Sequence, residues 1–392
     1  MADNPLKELN ACGQSVWNDF IQRSFVKGGG LKKLVDEDGI SGVTSNPTIF
    51  QKAIGSSSDY DEDLRVYAAD GEDAEGIFKR LASNDIGMGA DILRPTYDRT
   101  SSQDGYISIE VSPDAAHDTQ KTLDDAHFFW ETIKRPNIMI KVPATPEGIP
   151  AIEQLISEGI NVNITLIFAV EVYQEVMEAY VRGLERRVES GGSIDRIASV
   201  ASFFVSRVDT LVDQLLQEKA TGADDATRDH LKQLEGKAAI ANAKIAYELF
   251  EQVFGSDRFK ALAAKGARVQ RPLWASTSTK NPNYPDTFYV ANLVGRDTVD
   301  TMPPETIDAV RDHGRIECDT VVQGVQQAHA DFAALGKAGI SMTDVTAQLT
   351  REGVQKFADS LHGLFDTINQ KLEGLRQEDR QPTTAGSGQG GE

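Results

Sequence analysis

The stretch Asn137-Ile-Met-Ile-Lys-Val-Pro143 reads as a β-strand with an amine near its end. Ile138, Ile140 and Val142 share one face at period two, and Met139 and Lys141 share the other. Lysine is rarely buried unless it is paired or functional, and one held neutral is a usable nucleophile for a carbonyl carbon. Taken alone, the stretch is an edge strand with a solvated lysine; the rest of the chain decides.

Outward from it, strand-like runs alternate with helix-compatible sequence. They fall at 15–19, 40–44, 106–111, 138–142, 160–166, 198–204, 269–275 and 287–290. Alternation of this kind implies parallel strands joined by helical crossovers. Eight repeats of the unit predict an α/β fold, an eight-stranded (β/α)8 TIM barrel with additional helices. The reading takes residues 1–375 as a single barrel domain with helical insertions near 51–103 and 206–267, and 376–392 as a disordered tail rich in Gly, Ser, Thr and Gln. Gly28, Gly29 and Gly30 predict a break in an otherwise helical segment.

Composition narrows the function. The 392 residues are 40% hydrophobic and 26% charged, an ordinary globular balance, but the formal net charge is −20. So acidic a chain argues against nucleic acid and against an anionic membrane surface, while leaving room for a small anion held by a few local cations. Cys12 and Cys318, the only cysteines, lie far apart and show no spacing of a zinc site or a disulfide framework. The six histidines form no metal-spaced cluster. No segment resembles a signal peptide or a membrane span, so the expectation is a cytoplasmic protein. No strand opens into a Gly-x-Gly-x-x-Gly or phosphate-loop pattern, and neither a cofactor nor a metal is expected.

Several strands share one design, an apolar face opposite a face that turns polar toward the C-terminal end. Ser108 and Glu110 lie on that mixed face in the third strand, Asn161, Asn163 and Thr165 in the fifth, Ser202 with Phe204 in the sixth, and Ser15, Trp17 and Asp19 in the first. The wholly branched faces should meet the helices, so the mixed faces point inward. Asp19, Asn46, Glu110, Lys141, Asn163, Thr165 and Ser202 then converge at the C-terminal mouth, where barrel enzymes keep their active sites.

With those residues on the page, the sequence resembles the transaldolases, a pentose phosphate pathway family within the class I Schiff-base aldolases. The resemblance rests on Gly42-Val-Thr-Ser-Asn-Pro-Thr-Ile-Phe50, Ile107-Ser-Ile-Glu-Val-Ser112, Ile138-Met-Ile-Lys-Val-Pro-Ala-Thr145, Gly159-Ile-Asn-Val-Asn-Ile-Thr-Leu-Ile167, Ala201-Ser-Phe-Phe-Val-Ser-Arg-Val-Asp209 and Pro272-Leu-Trp-Ala-Ser-Thr277, in the family's order. It implies a cofactor-free transferase that moves dihydroxyacetone from sedoheptulose 7-phosphate to glyceraldehyde 3-phosphate, giving erythrose 4-phosphate and fructose 6-phosphate. Lys141 matches the family's nucleophile and Asp19 the carboxylate that handles the donor hydroxyl proton. Glu110 matches the proton carrier of imine formation, acting through a water held with Thr165. Asn46, Asn163, Ser202 and Phe204 match positions along the sugar chain. The chemistry asks for these types independently: a neutral amine, an acid for carbinolamine dehydration, and a base for the hydroxyl lost in cleavage.

Arg207 and Ser276 match the family's phosphate ligands, and a guanidinium fork suits phosphate oxygens. Some members carry a second arginine where this chain has Ser278, which makes Lys280 the candidate replacement cation. Two alternatives stay open. A fructose 6-phosphate aldolase would release free dihydroxyacetone, but such enzymes tend to carry Gln at position 110 and Tyr at 204. A silent sugar-phosphate binder would not need Lys141.

Overall fold

Eight parallel strands close on themselves in chain order, which leaves no sheet edge unpaired. They are β1 (Gln14–Asn18), β2 (Gly42–Val43), β3 (Tyr106–Glu110), β4 (Ile138–Pro143), β5 (Val162–Ile167), β6 (Ser199–Phe204), β7 (Arg271–Ala275) and β8 (Thr298–Met302). This computed structural model describes residues 4–380. No helix among them is long and apolar enough to cross a membrane.

The eighth strand lies further along than its predicted place. Residues 287–290 have strand-like composition, but they run into the helix Phe288–Asn292. Their aromatics serve neighbouring segments, Phe288 packing on Tyr284 of the preceding loop at 5.3 Å and Tyr289 donating to Asp209 of the helix Ser206–Ala220 at 3.0 Å. The true β8 reads Thr-Val-Asp-Thr-Met, and its central aspartate disguises it. It completes the barrel by pairing with β1 from Gln14↔Thr298 to Asn18↔Met302.

The N-terminal floor of the barrel is sealed by Asp104, in the loop before β3. Its carboxylate accepts from Trp17 Nε1 at 2.8 Å, from Ser41 Oγ at 2.9 Å and from Ser15 Oγ. Arg271 donates to Ser15 Oγ at 2.7 Å and brings the balancing charge. Gly42 is required beside this floor, because a Cβ there would lie 2.4 Å from the rigid Trp17 ring.

The cysteines depart from expectation: Cys12 and Cys318 form a disulfide, with Cα atoms 5.2 Å apart. It joins the end of the first helix, Pro5–Ala11, to the segment after Pro304–His313, and these two helices pack against each other beside a small apolar cluster of Leu6, Leu9, Ile307 and Val310. A separation of 306 residues hides such a pair from any spacing rule.

The insertion at 51–103 is helical, with Pro47–Ser56, Asp61–Ala69 and Ala74–Arg99. All three helices cradle the last one, Met342–Arg380, which is 39 residues long. Thr48 and Ser360 share a hydroxyl contact at 2.8 Å, and Lys371 pairs with Asp61 at 2.8 Å. That helix crosses the C-terminal mouth, close enough that a Cβ on Gly353 would sit 2.8 Å from Leu166 Cδ2. It includes residues 376–380, which the sequence assigned to the tail; 381–392 lie outside the described residues. The glycines at 28–30 do interrupt the helix, which stops at Lys27 and resumes at Gly30.

One buried charge stands apart. Asp300 shares a face with Val16 and Trp274, outside the barrel, and is fully buried with Oδ2 unpartnered. Burial pushes its carboxyl up to about 7, against the hydrogen bond from Thr277. Because the folded value lies above the model-peptide 3.8, the cost of ionising it is absent below that value and complete above about 7. Asp300→Asn should therefore raise stability at pH 8 by about 1–3 kcal/mol, an advantage that shrinks toward zero by pH 4 in urea titrations. Separately, Cys12→Ser should lower stability by about 2–4 kcal/mol under oxidising conditions, and excess thiol should erase the difference from wild type.

Candidate active site

Parallel register lines up the central groups. Glu110 is the Cα partner of Lys141, and Lys141 of Asn163, so three adjacent strands carry polar interior residues at one level. Lys141 and Glu110 are only 5% and 8% exposed, and Nζ lies 3.5 Å from Glu110 Oε2 and 3.3 Å from the Ser45 carbonyl to which it donates. Burial pushes the Glu110 carboxyl up to about 7, against the opposing pull of Lys141. A carboxyl raised this far and held beside an amine is placed to accept or return a proton there.

Above the pair opens a cleft of about 180 Å³, lined by Asp19, Asn46, Thr165, Ser202, Phe204, Arg207, Ser276 and Lys280 as well as Lys141. Asp19 follows β1 directly and accepts from Thr44 Oγ1 at 2.7 Å, while its backbone N–H donates to Met302. Burial raises its pKa; Lys141 and the Thr44 bond pull it back, and Glu305 raises it further. Asn46 is the N-cap of Pro47–Ser56, its Oδ1 accepting from Ile49 N at 3.0 Å, which leaves the amide donors for the cleft. Thr165 stands at a bulge in β5, where the register shifts and Leu166 takes φ +59°. Bulges of this sort re-aim side chains beside active sites. Its Oγ1 is buried without a hydrogen-bond partner, and Glu110 Oε2, though ion-paired with Lys141, also accepts no hydrogen bond.

Asn163 and Glu110 belong to the layer beneath the cleft. Asn163 donates to Ser108 Oγ at 3.0 Å and accepts from Ser202 Oγ at 2.7 Å, so it fixes Ser202 from below. Phe204 packs against Phe168 at 5.1 Å and lies under the Arg207 guanidinium, also 5.1 Å away. Arg207 occupies the first turn of Ser206–Ala220, and Ser206 Oγ meets Ser276 Oγ at 3.0 Å. Lys280 is exposed and donates to Ser278 Oγ.

The last helix adds groups that sequence reasoning missed. Phe357 closes the cleft 5.6 Å from Lys141 Nζ. The pKa of its neighbour Lys356 is lowered, first by the charge of Arg207, then by burial and by Lys280. Arg207 is itself lowered by burial, with Asp19 and Glu110 opposing. Arg207 and Lys280 thus stand close enough to act on Lys356, a gathering of cations that an anion would relieve. Glu305 lies at the other side, in the first turn of Pro304–His313. The sequence shows further helix at 335–375, outside or closing the barrel, but not which of its residues face the cleft.

Comparison with known proteins agrees with this chemistry. The family described as Transaldolase/Fructose-6-phosphate aldolase matches residues 16–368. A transaldolase of Acidothermus cellulolyticus is 48% identical over 375 residues, covering 96% of this chain and 99% of its own length. One from Parafrankia sp. is 47% identical over 368 residues, 94% and 98% of the two chains, and one from Mycobacterium tuberculosis 46% over 378 residues, 96% and 100%.

A carboxyl raised to about 7 accepts a proton only once it is ionised. Cyanoborohydride trapping of dihydroxyacetone should therefore accelerate as pH rises through about 7. Glu110→Gln should slow trapping by about 100-fold or more and remove the step centred there, as followed by intact-protein mass spectrometry.

Proposed function

This chain belongs to the transaldolase/fructose-6-phosphate aldolase family and is an enzyme, a transaldolase, and from that premise we propose its substrates and mechanism. The donor is sedoheptulose 7-phosphate and the acceptor glyceraldehyde 3-phosphate; the products are erythrose 4-phosphate and fructose 6-phosphate. The observation that carries the reading is the Lys141–Glu110 pair, at 3.5 Å, beneath a cleft whose rim bears Arg207, Ser276 and Lys280.

Lys141 Nζ attacks the donor's C2 carbonyl, and the amine proton passes to Glu110. The same carboxyl then protonates the carbinolamine hydroxyl, which leaves as water while the imine forms. A water between Thr165 Oγ1 and Glu110 Oε2 would satisfy both unpartnered atoms and relay the proton. Asp19 takes the proton of the C4 hydroxyl as the C3–C4 bond breaks. Erythrose 4-phosphate departs, and the electron pair stays on the enamine held by Lys141. Burial strengthens Asp19 as a base for this step. The enamine carbon then adds to the aldehyde of the acceptor, Asp19 returns the proton, and hydrolysis of the imine frees fructose 6-phosphate.

In this scheme Asn46 and Ser202 hold hydroxyls of the sugar chain, Asn163 acts on them from below, and Phe204 lines the path. Arg207 and Ser276 take the phosphate, with Lys280 in place of a second arginine. Glu110 and Phe204 favour transfer over release of dihydroxyacetone. Residues 1–375 act as one barrel domain. The setting is the cytoplasm, where phosphorylated sugars are retained; the Cys12–Cys318 bond is then exposed to a reducing pool.

A two-substrate assay should produce erythrose 4-phosphate in step with acceptor consumption, with little free dihydroxyacetone. Borohydride added with fructose 6-phosphate should label Lys141. Label on another residue, or release of dihydroxyacetone at the rate of donor loss, would overturn the mechanism or the transferase reading respectively.

A further inference from the structure

We propose that Asp300, outside the barrel and away from the cleft, is a positioning residue for phosphate recognition: it holds Thr277, and through it presents Ser276, Ser278 and Lys280 to the cleft. The inference rests on the phosphate reading of that rim.

The segment leaving β7 continues to alternate. Ser276, Ser278 and Lys280 line the cleft. Thr277 and Thr279 turn the other way and act as anchors, Thr277 Oγ1 donating to Asp300 Oδ1 at 2.8 Å and Thr279 Oγ1 to the Pro285 carbonyl at 2.9 Å. Ser276 takes φ +58°, a left-handed conformation that costs a non-glycine residue about 1 kcal/mol and persists only where its surroundings over-determine it. On one side Ser206 supplies that restraint, its N–H donating to the Ser276 carbonyl at 3.1 Å. On the other side the Thr277–Asp300 bond supplies it.

The choice of residue at 300 points the same way. Thr277 could be held by a neutral acceptor, yet the position carries a fully buried carboxyl whose other oxygen has no partner. Burial raises its pKa to about 7, and the Thr277 bond opposes that rise. When ionised, this carboxyl accepts a stronger hydrogen bond than a neutral oxygen does, such as the Thr301 carbonyl 3.4 Å from the same hydroxyl.

The test compares wild type with Thr277→Val, which keeps the shape and removes the donor, and with Thr277→Ser, which restores it. Measured quantities are KM for fructose 6-phosphate, Ki for inorganic phosphate, and cyanoborohydride trapping of unphosphorylated dihydroxyacetone. Thr277→Val should raise KM and Ki by about 5- to 10-fold, leave trapping within about 2-fold, and be reversed by Thr277→Ser. Asp300→Leu should match Thr277→Val. Unchanged KM and Ki in Thr277→Val, or parallel loss of dihydroxyacetone trapping, would overturn the positioning role. Wild-type enzyme that phosphate does not inhibit would instead overturn the phosphate reading of the cleft, and this proposal with it.

Discussion

Everything at the catalytic end depends on two opposite charges placed side by side inside a closed parallel sheet. An interior lysine without a partner would carry a desolvation cost of several kcal/mol, and so would an interior glutamate. Parallel register solves both problems by making Glu110 and Lys141 Cα partners on adjacent strands. Proximity is then a property of the barrel rather than of flexible side chains. The compensation is incomplete, since Glu110 remains raised to about 7. Burial thus outweighs the attraction of Lys141 at this carboxyl.

The additions outside the barrel complete that arrangement. The helices of 51–103 pack against Met342–Arg380, and Gly353 allows that helix close approach at Leu166. The consequence is a wall over Lys141 made by Phe357, and a cation, Lys356, beside Arg207. Neither group comes from the βα loops that ordinarily build such a site. The insertion thus bears on the pocket through a helix some three hundred residues away, and adds Lys52 to the cations that act on Lys356.

Much of this was legible in the sequence because period-two alternation is a strong signal on interior strands. The inward faces of β1, β3, β5 and β6 could be assigned residue by residue, and Asp19, Lys141, Thr165 and Ser202 do meet at one cleft. Legibility ended where local pattern and tertiary role diverge. At 287–290 the composition of a strand belongs to a helix whose aromatics pack on a loop, while Asp300 conceals the real one. Cys12 and Cys318 pair across nearly the whole barrel, and no local rule reaches that far. Phe357 reads as an ordinary apolar helix position, because its second neighbour, Lys141, is set by where the helix crosses and not by its own periodicity. Thr277 and Asp300 are alike in this respect: each is unremarkable until the β7 exit and β8 are brought together.

The long last helix also fixes when the molecule becomes competent. Synthesis runs from the N-terminus, so all eight strands and both cysteines are made before Gly353 and Phe357. The pocket therefore has no Phe357 wall over Lys141 until this helix is in place, and among the described residues the groups that close the site are the latest to be synthesised.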